Sequence, residues 1–125
     1  KLINNFFAMT TANALAEAFV TADAAGIDRQ KLYDVMSAGP LHSGMMDFVK
    51  AYAIDGNPNM LAFSIRNAQK DVGYYATMAD QAGIPSIMSQ SAKMAMSLAV
   101  AGGAGDHMIG QMTDFLSELY GAGKN

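Results

Sequence analysis

The chain contains no cysteine and no tryptophan, and only three prolines and two histidines occur among its 125 residues. Without cysteine there is neither a disulfide framework nor a thiolate metal site, and His42 and His107 cannot build a zinc site alone. Neither histidine has a carboxylate or serine at the spacing of a catalytic triad, so neither is expected to be catalytic. We therefore expect one domain, since the length argues against two cores, and no metal.

Charged residues are also scarce, at 15% of the chain against 51% hydrophobic residues, and the net charge is -3. This balance excludes a disordered chain. The absence of a basic run argues against nucleic acid as a partner. The sequence also lacks a basic amphipathic segment of the kind that binds a membrane surface. Lys93 and Asp106 interrupt the most apolar stretch before it could span a bilayer. The sequence predicts a soluble globular protein.

Residues that favour strands are few. The sequence has 7 Ile, 5 Val and 5 Thr against 22 Ala, 11 Met and 8 Leu, which are strong helix formers. This composition predicts an all-α domain. In the first helix the only charges between Lys1 and Asp28 are Glu17 and Asp23, and apolar side chains occupy several faces. That pattern is typical of a central helix surrounded by others.

Glycine, proline and capping residues divide the chain into about six helices. The four glycine-rich positions 102–105 are interpreted as an interhelical turn, because a phosphate-binding loop would need a preceding strand. The expected helices run from Lys1 to about Ala25, from Asp28 to Gly39, from Ser43 to Asp55, from about Ser64 to Ala82, from about Ile87 to Val100, and from Asp106 to about Leu119.

The beginning of the chain suggests a larger protein. It opens on Lys1 rather than Met, already inside a helical apolar pattern, and no charged-then-apolar signal segment precedes that pattern. We expect a fragment of a longer cytoplasmic protein. The small residues Ala8, Ala12 and Ala16 form a stripe along the first helix that would allow a second copy to approach closely, so a homodimer is also expected.

A short polar patch opens the first helix. Lys1, Asn4 and Asn5 are at i, i+3 and i+4, so they project from one side of an otherwise apolar rod. Amides that become buried need hydrogen-bond partners, and a lysine among apolar neighbours can be adapted to proton transfer. A solvated helix start explains the same three residues, and their spacing alone does not decide between these interpretations.

A second candidate site lies on the predicted fourth helix. Arg66 and Lys70 are one turn apart, a mildly unfavourable pairing unless an anion such as a carboxylate or phosphate lies opposite. Asp71 follows Lys70 but points to another face of the helix. The alternative is an ordinary solvated surface on which Asp71 or another nearby acid neutralises the cations.

Taken together, these residues resemble the β-hydroxyacid dehydrogenases, the 3-hydroxyisobutyrate dehydrogenase family. The opening run from Lys1 to Asn5 is similar to the lysine and paired asparagines that begin the C-terminal domain of that family. Phe63, followed seven residues later by Lys70 and Asp71, resembles a second motif of the family. The similarity also includes Glu17, the Ala-Gly-Ile at 25–27, Ser37, Gly39 and Ser43, and it extends to about Leu119.

The resemblance implies a C-terminal helical domain, over residues 1–125, that binds substrate and dimerises, with an N-terminal Rossmann domain absent from this chain. The implied reaction moves a hydride between NAD or NADP, bound mainly by the absent domain, and a small β-hydroxyacid such as 3-hydroxyisobutyrate. The implied catalytic residue is Lys1. The implied substrate-binding residues are Asn5, Asn4 and Ser43, and the implied cofactor-binding residues are Lys70, Phe63 and Asp71.

Within this resemblance, the segment from His42 to Asp47 is where we expect substrate selection. The chain alone is expected to be inactive, because the resemblance places the dinucleotide site outside it. A different class of function also stays open at this point, namely a stand-alone helical dimerisation or protein-binding module without catalysis. An upstream Gly-x-Gly-x-x-Gly motif after a strand would favour the enzyme.

Overall fold

The computed structural model describes residues 1–122, and these form an all-helical domain, as the composition predicted. No helix in this part of the chain is long and apolar enough to cross a membrane. A π-helical turn over Val100–Ala104 and a 3₁₀ turn over Ile109–Gln111 precede the last helix. The six α-helices are α1 (Leu2–Ala24), α2 (Arg29–Ser37), α3 (Gly44–Ala53), α4 (Ile65–Gln81), α5 (Ile87–Ala99) and α6 (Met112–Tyr120).

Helix α1 is the centre of the domain and contacts each of the other five α-helices. Phe19 and Val20 are almost completely buried, and Ala12 and Ala16 have no exposed surface. Alanine at these positions lets the neighbouring helices approach α1 closely, because no larger side chain separates the backbones. The predicted central role of the first helix is thus confirmed.

The same packing corrects the proposed use of the small-residue stripe. Ala12 and Ala16 lie inside the core, and Ala8 packs partly buried against it. The stripe therefore brings helices of one chain together and is not available to a second copy. A dimer would have to use another surface.

The helix starts and ends follow the local capping signals. Asp28, Ser43 and Ser64 are the N-caps of α2, α3 and α4, and each side chain accepts a hydrogen bond from a first-turn N–H at 3.1 Å. Gly26 follows the end of α1 in the left-handed conformation, with φ of 74°. A side chain would strain that conformation, which explains why the first helix stops where predicted.

Arg29 links three helices through its guanidinium group. Its Nη2 lies 2.6 Å from the Asp23 carboxylate at the end of α1, and its Nη1 donates to the Ala53 carbonyl at the end of α3 at 2.6 Å. Both side chains of the ion pair are mostly buried, with 14% and 15% of their surface exposed. The planar guanidinium suits such a junction because it can donate in several fixed directions at once.

The predicted start of the last helix at Asp106 is wrong. Residues 63–65 pair with residues 107–109: the N–H of Ile65 donates to the His107 carbonyl, and the N–H of Ile109 donates to the Phe63 carbonyl, both at 2.8 Å. This pairing holds Met108 in an extended conformation that no α-helix can include. Helix α6 consequently begins only at Met112, after the 3₁₀ turn.

The glycine-rich segment interrupts the helical conformation as expected, although the interruption involves fewer residues than the predicted turn over positions 102–105. Helix α5 continues into the π-helical turn, and the helical conformation is lost at Gly103, where φ is 95°. Gly105 is buried beneath Arg66, whose guanidinium would lie 2.5 Å from a Cβ atom at that position. The segment follows a helix rather than a strand, in agreement with its interpretation as a turn.

Candidate functional site

The fold brings together the two polar motifs found at the start of the chain and near its middle. The side-chain amide of Asn5 on α1 donates a 3.0 Å hydrogen bond to Oδ2 of Asp71 on α4, in a partly buried position. Lys1 lies one helical turn before Asn5, and Lys70 immediately precedes Asp71. We call these four residues, Lys1, Asn5, Lys70 and Asp71, the α1–α4 polar site.

An aromatic pair lies next to this hydrogen bond. The rings of Phe6 and Tyr75 stack with their centroids 4.0 Å apart and an angle of 4° between their planes. Each ring belongs to a residue close to the polar contact, since Phe6 follows Asn5 and Tyr75 is one turn beyond Asp71. The stack and the hydrogen bond together fix the relative position of α1 and α4 at the site.

Lys1 is exposed and is the N-cap of α1 without a side-chain capping hydrogen bond. Its carbonyl accepts the N–H of Asn5 at 2.9 Å, so the backbone of both residues belongs to the first helical turn. Burial that would adapt this lysine to proton transfer is thus not provided by residues 1–122. Asn4 is also exposed and takes no part in the Asn5–Asp71 contact.

Lys70 is exposed, and Asp71 does not neutralise it because that carboxylate is directed towards α1. Arg66 pairs with Asp106 at 3.3 Å, with 55% and 91% of the two side chains exposed. An ion pair this exposed contributes little to stability. The fourth helix therefore presents cationic side chains to solvent beside the polar site.

Two further residues suggested by the resemblance have structural contacts elsewhere. The Ser43 hydroxyl accepts the N–H of Met46 as the N-cap of α3, and it lines an apolar groove that Phe7 and Thr11 also line. Phe63 packs, partly buried, against the core, and its backbone pairs with Ile109. A substrate contact for Ser43 and a cofactor contact for Phe63 stay predictions.

Sequence reasoning singled out the segment from His42 to Asp47, but it missed the cluster that this segment forms with Tyr33 of α2. The Asp47 carboxylate accepts the Tyr33 hydroxyl at 2.6 Å and lies 3.0 Å from Nε2 of His42. These hydrogen bonds, that of Tyr33 first, lower the pKa of Asp47 below its ordinary value, and Asp47 in turn raises the pKa of Tyr33. The only available signal was the five-residue spacing of His42 and Asp47, which becomes a contact because Ser43 starts a helix between them.

Residues 1–122 do not provide a complete binding site for a dinucleotide. The usual cradle for the pyrophosphate is a strand, a glycine turn and a helix N-terminus, and residues 1–122 contain no strand that leads into a glycine turn. The described residues also include no group of three or more histidine, aspartate or glutamate side chains that could hold a metal ion. A cofactor contact for Lys70 and Asp71 stays a prediction.

Comparisons with known proteins give a consistent result. A family model described as "NAD-binding of NADP-dependent 3-hydroxyisobutyrate dehydrogenase" matches residues 1–116. A solved 3-hydroxyisobutyrate dehydrogenase from Salmonella typhimurium superposes with a TM-score of 0.84 at 25% identity, over 92% of this chain and 40% of that one. No curated protein gives a significant match.

A second solved structure supports the fold. It is a 3-hydroxyisobutyrate dehydrogenase from Mycobacterium tuberculosis, solved with L-serine, with a TM-score of 0.79 at 21% identity. The match covers 93% of this chain and 42% of that one. The chain thus spans about two fifths of the length of each of these two structures.

Proposed function

The chain belongs to the 3-hydroxyisobutyrate dehydrogenase family, as its C-terminal domain, and from this premise we propose that it is the helical part of an NAD(P)-dependent dehydrogenase of small β-hydroxyacids. The observation that carries the proposal is the hydrogen bond between Asn5 and Asp71, which joins the two motifs that resemble the family. When bound, the nicotinamide accepts or supplies a hydride. The residues of this chain would handle the proton and position the acid.

The polar site has complementary groups for these tasks. Lys1 would exchange the proton of the substrate hydroxyl, with Asn5 beside it on the same side of α1. Because the Asn5 amide nitrogen donates to Asp71, its carbonyl oxygen is left to accept a hydrogen bond from the substrate, and the Asp71 charge polarises that oxygen. Lys70 would contribute positive charge towards the cofactor and the substrate carboxylate.

The same groups support the substrate class that the resemblance implies. A proton-exchanging lysine suits a hydroxyl group, and exposed cations suit a carboxylate. L-serine, with which the Mycobacterium tuberculosis relative was solved, is itself a β-hydroxyacid. We test the proposed class by assaying the intact enzyme that contains this domain for oxidation of 3-hydroxyisobutyrate and L-serine with NAD or NADP. If none of these combinations turns over, the proposed substrate class is wrong.

The isolated chain is predicted to show no dehydrogenase activity and no dinucleotide binding in the micromolar range, because residues 1–122 lack the strand, turn and helix that receive a pyrophosphate. Calorimetric titration of residues 1–125 with NADH and with NADPH measures this directly. Micromolar binding would contradict the prediction and would require a complete nucleotide site among the helices.

We also propose that the domain forms homodimers, through a surface other than the small-residue stripe. Phe7, Leu41 and Met88 are 70%, 68% and 60% exposed and line one groove of about 400 Å³ against α1. Large apolar side chains grouped in this way usually mark a contact surface. Light scattering should give the mass of a dimer, and Phe7→Lys should give a monomer. A monomer of the unaltered chain at every accessible concentration would contradict the proposal.

A further inference from the structure

An open groove of about 430 Å³ lies between α4 and α5, and the roles assigned above do not account for most of the residues that line it. It extends along α4 from Arg66 to Thr77 and includes Lys70. We call it the α4–α5 groove. Its lining residues are Arg66, Gln69, Lys70, Gly73, Tyr74, Thr77 and Lys93.

Three of these residues are cationic, and they reach the groove from both helices. Arg66 and Lys70 are one turn apart on α4, whereas Lys93 comes from α5. Lys93 extends across Gly73, and its Cε lies 3.8 Å from the position a Cβ atom would take on that glycine, which is an ordinary van der Waals distance. The lysine stem therefore packs directly over the α4 backbone.

The charge in the groove is poorly balanced. Among the described residues, Asp106 is the only acid that pairs with any of the three cations, and it is 91% exposed beside Arg66. No carboxylate of residues 1–122 lies within ion-pair distance of Lys70 or Lys93. Like charges gathered without a partner repel one another, and an anion placed between them removes that cost.

We propose that the α4–α5 groove binds a phosphate group, with Lys93 as a ligand beside Lys70 and Arg66. A phosphate dianion suits this arrangement better than a carboxylate, since it carries more charge and its oxygens can meet donors from several directions. Gln69 and Thr77 already donate to Ser97 and to the Gly73 carbonyl, so the cations supply most of the affinity. The proposal deepens the proposed function, because Lys70 belongs to both sites.

Phosphorus NMR titration of residues 1–125 at low ionic strength tests the site, with orthophosphate and pyrophosphate as probes. We expect saturable binding with a dissociation constant of about 1 mM, since each exposed ionic contact contributes little. Lys93→Met keeps the stem over Gly73 but removes the charge, and it should weaken binding at least roughly fivefold. Lys93→Arg, which keeps the charge, should retain binding.

Lys31→Met is the matched control, because it removes one exposed lysine from α2 and changes the net charge equally. If Lys31→Met weakens binding as much as Lys93→Met, or if binding never saturates, the groove is not a phosphate site. Tighter binding of pyrophosphate would indicate the cofactor as the source of the phosphate, whereas tighter binding of orthophosphate would indicate a free phosphate or a phosphorylated ligand. Absence of phosphate binding would not contradict the proposed dehydrogenase function, because that function is tested separately by turnover.

Discussion

Lys1→Ala in the intact enzyme is expected to lower kcat by roughly 10²- to 10⁴-fold, the range typical of losing a positioned general acid or base. The proton donor acts as charge develops on the substrate oxygen, so its loss is felt mainly in the transition state. Steady-state kinetics with the identified hydroxyacid measure the effect. Lys31→Ala, which removes an exposed lysine from α2, should leave kcat unchanged.

Asn5→Ala provides the contrast within the same experiment. An amide that accepts a hydrogen bond from the substrate hydroxyl contributes to ground state and transition state alike, so its loss should raise KM more than it lowers kcat. If instead Lys1→Ala keeps near-normal turnover, Lys1 is not the catalytic residue. The polar start of α1 is then a solvated helix end, and the other interpretation of this patch is correct.

Phe19→Ala is expected to destabilise the domain by about 3–5 kcal/mol, because it removes a buried ring of α1 and leaves a cavity in the core. Phe19 is 2% exposed and belongs to the main core cluster. Urea unfolding followed by circular dichroism gives the free energy of unfolding. At this magnitude the variant loses a large part of the stability of a typical domain.

Phe7→Ala is the matched control, since it makes the same substitution on the same helix at a side chain that is 70% exposed. Its effect on the unfolding of a monomer should be below about 1 kcal/mol. Equal losses for Phe19 and Phe7 would contradict the placement of α1 at the centre of one chain. A loss for Phe7→Ala that grows with protein concentration would support the proposed dimer contact through Phe7.

Much of the fold could be predicted from the sequence because its signals are local. Asp28, Ser43 and Ser64 cap helices through their own first turns, and Gly26 ends α1 through its own backbone conformation. The central position of α1 was also predictable, since its own apolar side chains occupy several faces of the helix. These features depend on neighbours within a few residues.

The remaining features depend on contacts between distant residues. The start of α6 was misplaced because residues 107–109 pair with a segment more than forty positions earlier, which no local capping signal reveals. The Asn5–Asp71 hydrogen bond joins residues 66 positions apart. The spacing of the residues therefore revealed two polar motifs but not the contact between them. The role of the Ala12 and Ala16 stripe likewise depended on which surface covered it.

The pairing of residues 63–66 with residues 105–109 also bears on the order in which the domain is completed during synthesis. The first two N–H groups of α4, on Ile65 and Arg66, donate to the carbonyls of His107 and Gly105. At a ribosomal rate of roughly 5–20 residues per second, these acceptors follow about 2–8 s after their donors. Throughout that interval the start of α4 must rely on water, and the helix that carries Lys70 and Asp71 gains its final anchor only when the last quarter of the domain emerges.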